Sequence, residues 1–81
     1  MQAKEIKDLI KSGGGTVICC QTTDGKWQVE VFSLSGKYEP LKSARGRCRT
    51  FTTLNALARC AKYELGVQSV FLDLTTFTTE D

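Results

Sequence analysis

The chain reads as a small α+β domain: an antiparallel-rich sheet of about four strands with two helices packed on one face, in the order α-β-β-β-α-β. Three observations predict it. Two segments, 3–11 and 54–65, repeat apolar residues with the period of a helix. The runs between and after them carry the apolar and alternating patterns of strands. An Asp24-Gly25 pair, the strongest short hairpin signal, joins the first two of those runs.

Composition sets the outer limits. With 81 residues the chain has material for one core, because two would each fall below the size that folds unaided. Hydrophobic residues make up 41% and charged residues 25%, which suits a packed soluble domain and not a disordered chain. No apolar run approaches the ~20 residues of a membrane-spanning helix. Residues 1–74 are expected to form the single domain and residues 75–81 a polar tail. The N-terminal segment has no apolar stretch behind a basic start, so no signal peptide is read there and a cytoplasmic location is expected.

The elements follow in order. Ala3, Ile6, Leu9 and Ile10 form one stripe, and Lys4, Glu5, Lys7, Asp8 and Lys11 fill the other face, an amphipathic helix ended by Gly13, Gly14 and Gly15. Residues 16–22 form the first strand, apolar at Val17, Ile18, Cys19 and Cys20. Residues 26–33 form the second, with Trp27, Val29 and Val31 on one face and Gln28, Glu30 and Phe32 on the other. Phe32 is an aromatic on the nominally wet face, expected to pack under a terminal segment or loop, or else to meet a partner. After a turn at Ser35-Gly36-Lys37, residues 38–43 form a third strand that Pro40 marks as an edge or an interrupted one. Residues 44–49 read as a polar, basic connection or as the end of that strand.

Leu54, Leu57, Ala58, Ala61 and Leu65 then mark the clearest helix, capped by Thr52 or Thr53 and closed by Gly66. Residues 67–74 form the last strand, apolar enough at Val70, Leu72 and Leu74 to be central or well covered. The core is expected to gather Ile6, Leu9 and Ile10; Val17 and Cys19; Trp27, Val29 and Val31; Leu54, Leu57, Ala58, Ala61 and Leu65; and Val70 with Leu72. No internal repeat is apparent.

Missing residue types narrow the function. Histidine is absent, which removes the commonest general base and the commonest metal ligand. No glycine-rich phosphate loop opens a helix, since Gly13, Gly14 and Gly15 follow one. The four cysteines, Cys19, Cys20, Cys48 and Cys60, lack the pair spacing of a zinc site; they are expected to be reduced and packed as small hydrophobes. The expectation is a protein that is not an enzyme, with no metal, cofactor, small-molecule substrate or membrane partner.

Charge distribution gives the functional lead. The net charge is only +2, but residues 37–49 carry Lys37, Lys42, Arg45, Arg47 and Arg49 against Glu39 alone, and Arg59 is the single arginine outside that window. Arg45, Arg47 and Arg49 occupy alternate positions, so an extended backbone would project them to one side about 6–7 Å apart, near the phosphate spacing of a single strand. Guanidinium groups match phosphate oxygens two at a time. Thr52 stands at the helix start beside free N–H groups, and with Arg49 it outlines an anion site; Arg59 and Lys62 extend the positive field. The candidate nucleic-acid-binding residues are therefore Lys42, Arg45, Arg47, Arg49, Thr52, Arg59 and Lys62. Plain alternatives stand beside them: a charged edge that resists strand pairing, and an ordinary threonine cap. Trp27, Phe32 and Tyr38 outline a base-stacking platform, against which core packing of Trp27 is the alternative.

The run from Arg47 through Phe51, Leu54 and Ala58 to Leu65-Gly66-Val67 resembles a pattern in small proteins of bacterial plasmids and other mobile elements. That pattern is Arg-x-Phe, small polar residues, Leu-x-Ala, a helix ending in Leu-Gly, then a short strand. The likeness spans residues 47–74 and holds no catalytic motif. It implies an accessory protein of replication, partition or regulation. The expectation is a small non-catalytic nucleic-acid-binding protein, with DNA preferred to RNA. The alternative is a protein-interaction or inhibitor module that works through an exposed strand edge. A homodimer is expected as well, because so small a domain has little core and its sheet has two edges to satisfy.

Overall fold

In the computed structural model of the protein, which describes residues 1–77, the first apolar stripe folds as α1 (Ala3–Lys11). The Glu5 carboxylate accepts the Gln2 backbone N–H at 3.1 Å, closing the first turn. The helix stops where Gly13 turns to a φ of 77° and the Gly14 N–H reaches back to the Leu9 carbonyl at 2.9 Å. Gly15 then lies so close to its neighbours that a Cβ there would sit 2.9 Å from Val31 Cγ1. The chain enters β1 (Gly15–Gln21), which pairs antiparallel with β2 (Trp27–Ser33) over its whole length, Gly15 opposite Ser33 and Gln21 opposite Trp27.

Beyond β2 the sheet edge is shared by two short pieces. β3 (Tyr38–Pro40) pairs with the second half of β2, and β4 (Thr50–Phe51) pairs with its first two residues. α2 (Leu54–Tyr63) follows, capped by Thr53, whose hydroxyl accepts the Ala56 N–H at 3.1 Å. β5 (Phe71–Asp73) returns to the other side of β1, parallel to it. The main strand order is β3-β2-β1-β5, with β4 beside β2. The class is α+β as the sequence predicts; the sheet is mixed and has five strands.

One contiguous core unites both helices with one face of the sheet. Ile6 of α1, Val17 and Cys19 of β1, Val29 and Val31 of β2, Leu57 and Cys60 of α2, and Leu41 and Leu65 beyond the elements all belong to it. Val17 faces Val31 and Cys19 faces Val29, so these four side chains share one side of the sheet. Leu9, Ile10, Trp27 and Val70 are half-buried around this cluster. Leu54, Ala58 and Leu72, which the sequence pattern places inside, are exposed. The buried face of α2 runs through Leu57, Cys60 and Ala61, so the stripe is rotated away from Leu54 and Ala58.

Three further differences have physical causes. The last strand is not covered: it shrinks to Phe71–Asp73, lies at the sheet edge, and all its residues are exposed. An apolar strand is buried only if another element passes beyond it, and none does so here among the described residues. The sequence does contain a repeat, one too short to register as a module. Thr22 to Lys26, Ser33 to Lys37 and Ser43 to Arg47 each read Ser/Thr-x-x-Gly-Lys/Arg and each form the same turn. In every case the glycine N–H bonds the first residue's carbonyl, the first residue's N–H bonds the fifth's carbonyl, and the glycine takes a φ of 81–86°. Finally, Thr76 and Phe77 of the expected tail return to the domain: the Thr76 hydroxyl donates to the Gln21 carbonyl at 2.6 Å, and the Phe77 ring lies 6.0 Å from Trp27. Residues 78–81 of that tail lie outside the described residues.

Candidate functional site

The third of the repeated turns carries the arginines. At Leu41 the strand leaves β2: its N–H still donates to the Val29 carbonyl, but its own carbonyl accepts from Arg49. Lys42 then bridges Cys48 and Ser43 bonds Arg47, so residues 41–49 form a two-stranded arm branching off the sheet edge. The outer side of the arm's first strand is closed by the N-terminal residues. The Met1 amino group donates to the Pro40 carbonyl at 3.0 Å, and the Lys42 N–H donates to the Met1 carbonyl at 2.7 Å. The segment read as an extended edge is thus a tight hairpin. The reason is Gly46, whose φ of 81° closes the turn between Ser43 and Arg47.

This geometry separates the three arginines. Arg45 sits at the tip, not in a row with the others. Arg47 and Arg49 lie opposite Ser43 and Leu41, and share one face of the arm; Lys42 and Cys48 share the other. Leu41 is fully buried, so the Arg47 and Arg49 face is the one turned toward the helices. Arg49 is anchored. Its Nη1 lies 3.0 Å from Glu64 Oε2, and its guanidinium carbon stands 5.5 Å from the centre of the Phe51 ring. Arg45 and Arg47 are exposed and take part in no ion pair among the described residues.

Glu64 joins the arm to α2. The same Oε2 that meets Arg49 accepts the Cys60 thiol at 2.8 Å. Burial, then the hydrogen bond and charge of Glu64, push the Cys60 thiol up to about 12. The hydrogen bond from Cys60, followed by the Arg49 guanidinium, holds the Glu64 carboxyl below its usual range. A thiol held so firmly protonated is no nucleophile at neutral pH. Beside this junction runs an open groove of about 380 Å³ lined by Arg49, Phe51, Ala56, Arg59, Cys60, Tyr63 and Glu64. Tyr63 is 73% exposed, and the Lys62 ammonium stands 5.5 Å from the centre of its ring.

Of the residues singled out in the sequence, the structure brings Arg49 and Arg59 into one groove, with Arg47 on the adjoining face of the arm and Lys62 on the neighbouring helix surface. Lys42 lies on the arm's opposite face. Thr52 is exposed and does not cap the helix; Thr53 does. The Arg49 guanidinium reaches Glu64 beyond the C-terminal end of α2, away from Thr52 and the first turn. Phe51 enters the site from the Arg-x-Phe pattern, and Tyr63 and Glu64 join it without having been named as candidate site residues. The signal for Tyr63 and Glu64 is the helical spacing Ala56, Arg59/Cys60, Tyr63/Glu64, a second stripe beside the apolar one.

The Arg-x-Phe and Leu-Gly pattern also gains a local meaning. Arg49 stacks over Phe51, Thr53 caps α2, Leu57 and Leu65 enter the core, and Gly66 takes a φ of 72° where the helix ends. Each of these positions therefore has a folding role. The chain matches no protein-family model, no curated protein and no solved structure.

Proposed function

We propose that the protein binds nucleic acid without catalysis, gripping phosphates with its arginine arm, as an accessory protein of a bacterial plasmid or other mobile element. The observation that carries this reading is the contrast within the arm. One arginine, Arg49, is tied to Glu64 at the end of α2 and fixes the arm's root; two others, Arg45 and Arg47, are presented to solvent without an acidic partner among the described residues. Free guanidinium groups match phosphate oxygens two at a time, and an anchored root holds them in place. A two-stranded ribbon fits the major groove of B-form DNA. The arm geometry thus favours duplex DNA over the single strand that alternate spacing alone suggests. Arg59 and Lys62 on α2 lie on the flank that would meet the phosphates beside the groove. The resemblance of residues 47–74 to plasmid-encoded proteins supports the same assignment.

The test is fluorescence anisotropy with duplex and single-stranded oligonucleotides at two salt concentrations. Binding should weaken as salt rises, and the double change Arg45→Ala with Arg47→Ala should lower the salt slope by nearly one unit for each phosphate no longer gripped. A folded wild-type chain that binds neither form at low salt overturns the proposal and leaves a protein-interaction module in its place. That second reading has its own observation: the sheet face away from the helices shows Phe32 packed against Tyr38, ring centres 4.7 Å apart and planes tilted by 41°, with Phe71 68% exposed on the same side.

A further inference from the structure

The two outer margins of the sheet are treated differently. On the β3 side, the arm and the Met1 backbone take up hydrogen-bonding groups beyond β2. On the β5 side, β1 is the only strand that pairs with Phe71–Asp73 among the described residues, and none of those residues pairs beyond it. That bare edge is also apolar: Phe71 is 68% exposed, Leu72 45% and Leu74 56%. Charge is the usual guard of such an edge. Along β5 the only charge is Asp73, and its carboxylate is turned back to accept the Thr75 N–H at 2.9 Å and the Thr75 hydroxyl at 2.6 Å.

We infer that a second copy of this chain pairs antiparallel along β5, with Leu72 opposite Leu72. The register is self-complementary, as a twofold interface must be. Phe71 of each copy falls opposite Asp73 of the other, so no like charges meet. Val70 falls opposite Leu74. A few rungs of backbone pairing alone fall short of the roughly 1,000 Å² that a stable interface buries. The flanks of the edge supply more. Val70 lines two open grooves of about 480 and 580 Å³, whose apolar walls include Ala61 and Val67 in one and Ile10 and Val17 in the other. Leu74 of the second copy arrives at that residue, and Leu72 extends the helix-side apolar surface across the dyad. The occupant is a second copy because the apolar positions 70, 72 and 74 match themselves in reverse.

The experiment is sedimentation of the full chain across the micromolar range, without nucleic acid, so its outcome is independent of the function proposed above. Wild type should sediment as a dimer at the upper concentrations. Leu72→Glu should sediment as a monomer with an unchanged circular dichroism spectrum, because the side chain it alters is already 45% exposed. Directly opposed residues on an antiparallel pair are close enough to crosslink. Leu72→Cys placed in a Cys48→Ser chain, which removes the exposed native thiol, should therefore form a disulfide-linked dimer under mild oxidation that the Cys48→Ser chain alone does not form. A wild-type monomer at every concentration, a Leu72→Glu dimer as stable as wild type, or a Leu72→Cys dimer that stays uncrosslinked would each overturn the inference.

Discussion

Leu41, just past the end of β3, and Leu72, within β5, stand at opposite margins of one sheet and meet opposite fates. Leu41 is fully buried; Leu72 is 45% exposed. Strand propensity and hydrophobicity do not separate them. What differs is the traffic beyond each strand. At Leu41 the arm branches, Met1 runs alongside, and the core cluster that includes Leu57 and Cys60 closes over the side chain. At Leu72 no described segment passes further out. Burial at a sheet margin is thus decided by neighbouring chain and not by the residue itself. One margin is finished within the monomer, and at the other no described segment pairs beyond β5.

The sharpest way to break this comparison is truncation at both places. Leu41→Ala removes a fully enclosed side chain at the root of the arm and should cost about 2–5 kcal/mol, the range for buried leucines. Leu72→Ala should cost less than about 1 kcal/mol in the monomer, as partly exposed positions do. Urea denaturation at low protein concentration measures both. Equal losses would mean that the β5 margin is as tightly packed as the arm root.

The same contrast explains how much of the fold is legible in the sequence. The class, both helices and the β1–β2 hairpin follow from local signals: helical spacing, alternation at Trp27, Val29 and Val31, and Asp24-Gly25. Leu41 escapes such a reading because it stands next to Pro40, inside a window dominated by charge, and its neighbours at strand spacing, Glu39 and Ser43, are both polar. The arm escapes it because three arginines at alternate positions also describe a strand; only the left-handed Gly46 distinguishes a hairpin, and its type shows in the matching turns at Gly25 and Gly36. The groove partner Glu64 is hidden by its distance along the chain from Arg49, since sequence spacing says nothing of pairs that meet through tertiary packing.

If both margins act as proposed, they meet in a single length. Each copy places β5, β1, β2 and β3 in line, so pairing at β5 sets the two arms about seven inter-strand steps apart, about 34 Å. That is one turn of B-form DNA. Inverted half-sites centred one turn apart should bind roughly tenfold more tightly than the same half-sites offset by half a turn, as two arms engage together. The Leu72→Glu chain should lose that preference while keeping the weaker binding of a single arm. Equal affinity for both spacings in a proven dimer would place the arms elsewhere relative to the dyad.

Thiol titration tests the two sides more gently. Burial raises the folded-state value of Cys60 to about 12, and burial raises Cys20, on the sheet's open face, with Glu30 and Asp73 adding to it. A thiol whose folded value lies above its unfolded one contributes stability that is full below the ordinary thiol range. That contribution is lost as pH rises toward the folded value. Stability should therefore fall above pH ~9, by roughly 1 kcal/mol per strongly shifted thiol at pH 10. Cys60→Ala should flatten this alkaline slope more than Cys20→Ala does. Denaturation midpoints at neutral pH and pH 10 give the comparison. A slope unchanged in the Cys60→Ala chain would contradict the burial of that thiol under the arm.

The smallest expected effects lie within the arm itself, and there they carry the most meaning for function. Arg49 is paired with Glu64 and stacked on Phe51, but both partners of the ion pair are partly exposed, 31% and 50%. Solvent screening limits such a pair to about 1 kcal/mol or less. Its sign with pH is fixed by Glu64, whose folded value is depressed first by the Cys60 thiol and then by Arg49. That contribution is present above the ordinary carboxylate range and is lost as pH falls through the depressed value. Arg49→Ala should therefore lower stability slightly at neutral pH and less in acid, where only its contact with Phe51 remains to be lost. Arg45→Ala and Arg47→Ala should each alter stability by less than about 0.5 kcal/mol at either pH, because neither side chain has an ion-pair partner to lose among the described residues. Binding should rank in the reverse order, with the two free arginines mattering more to the salt slope than the anchored one. A chain in which Arg45→Ala and Arg47→Ala destabilise as much as Arg49→Ala would show that all three hold the arm in place, and would remove the free guanidinium groups on which the proposed phosphate binding rests.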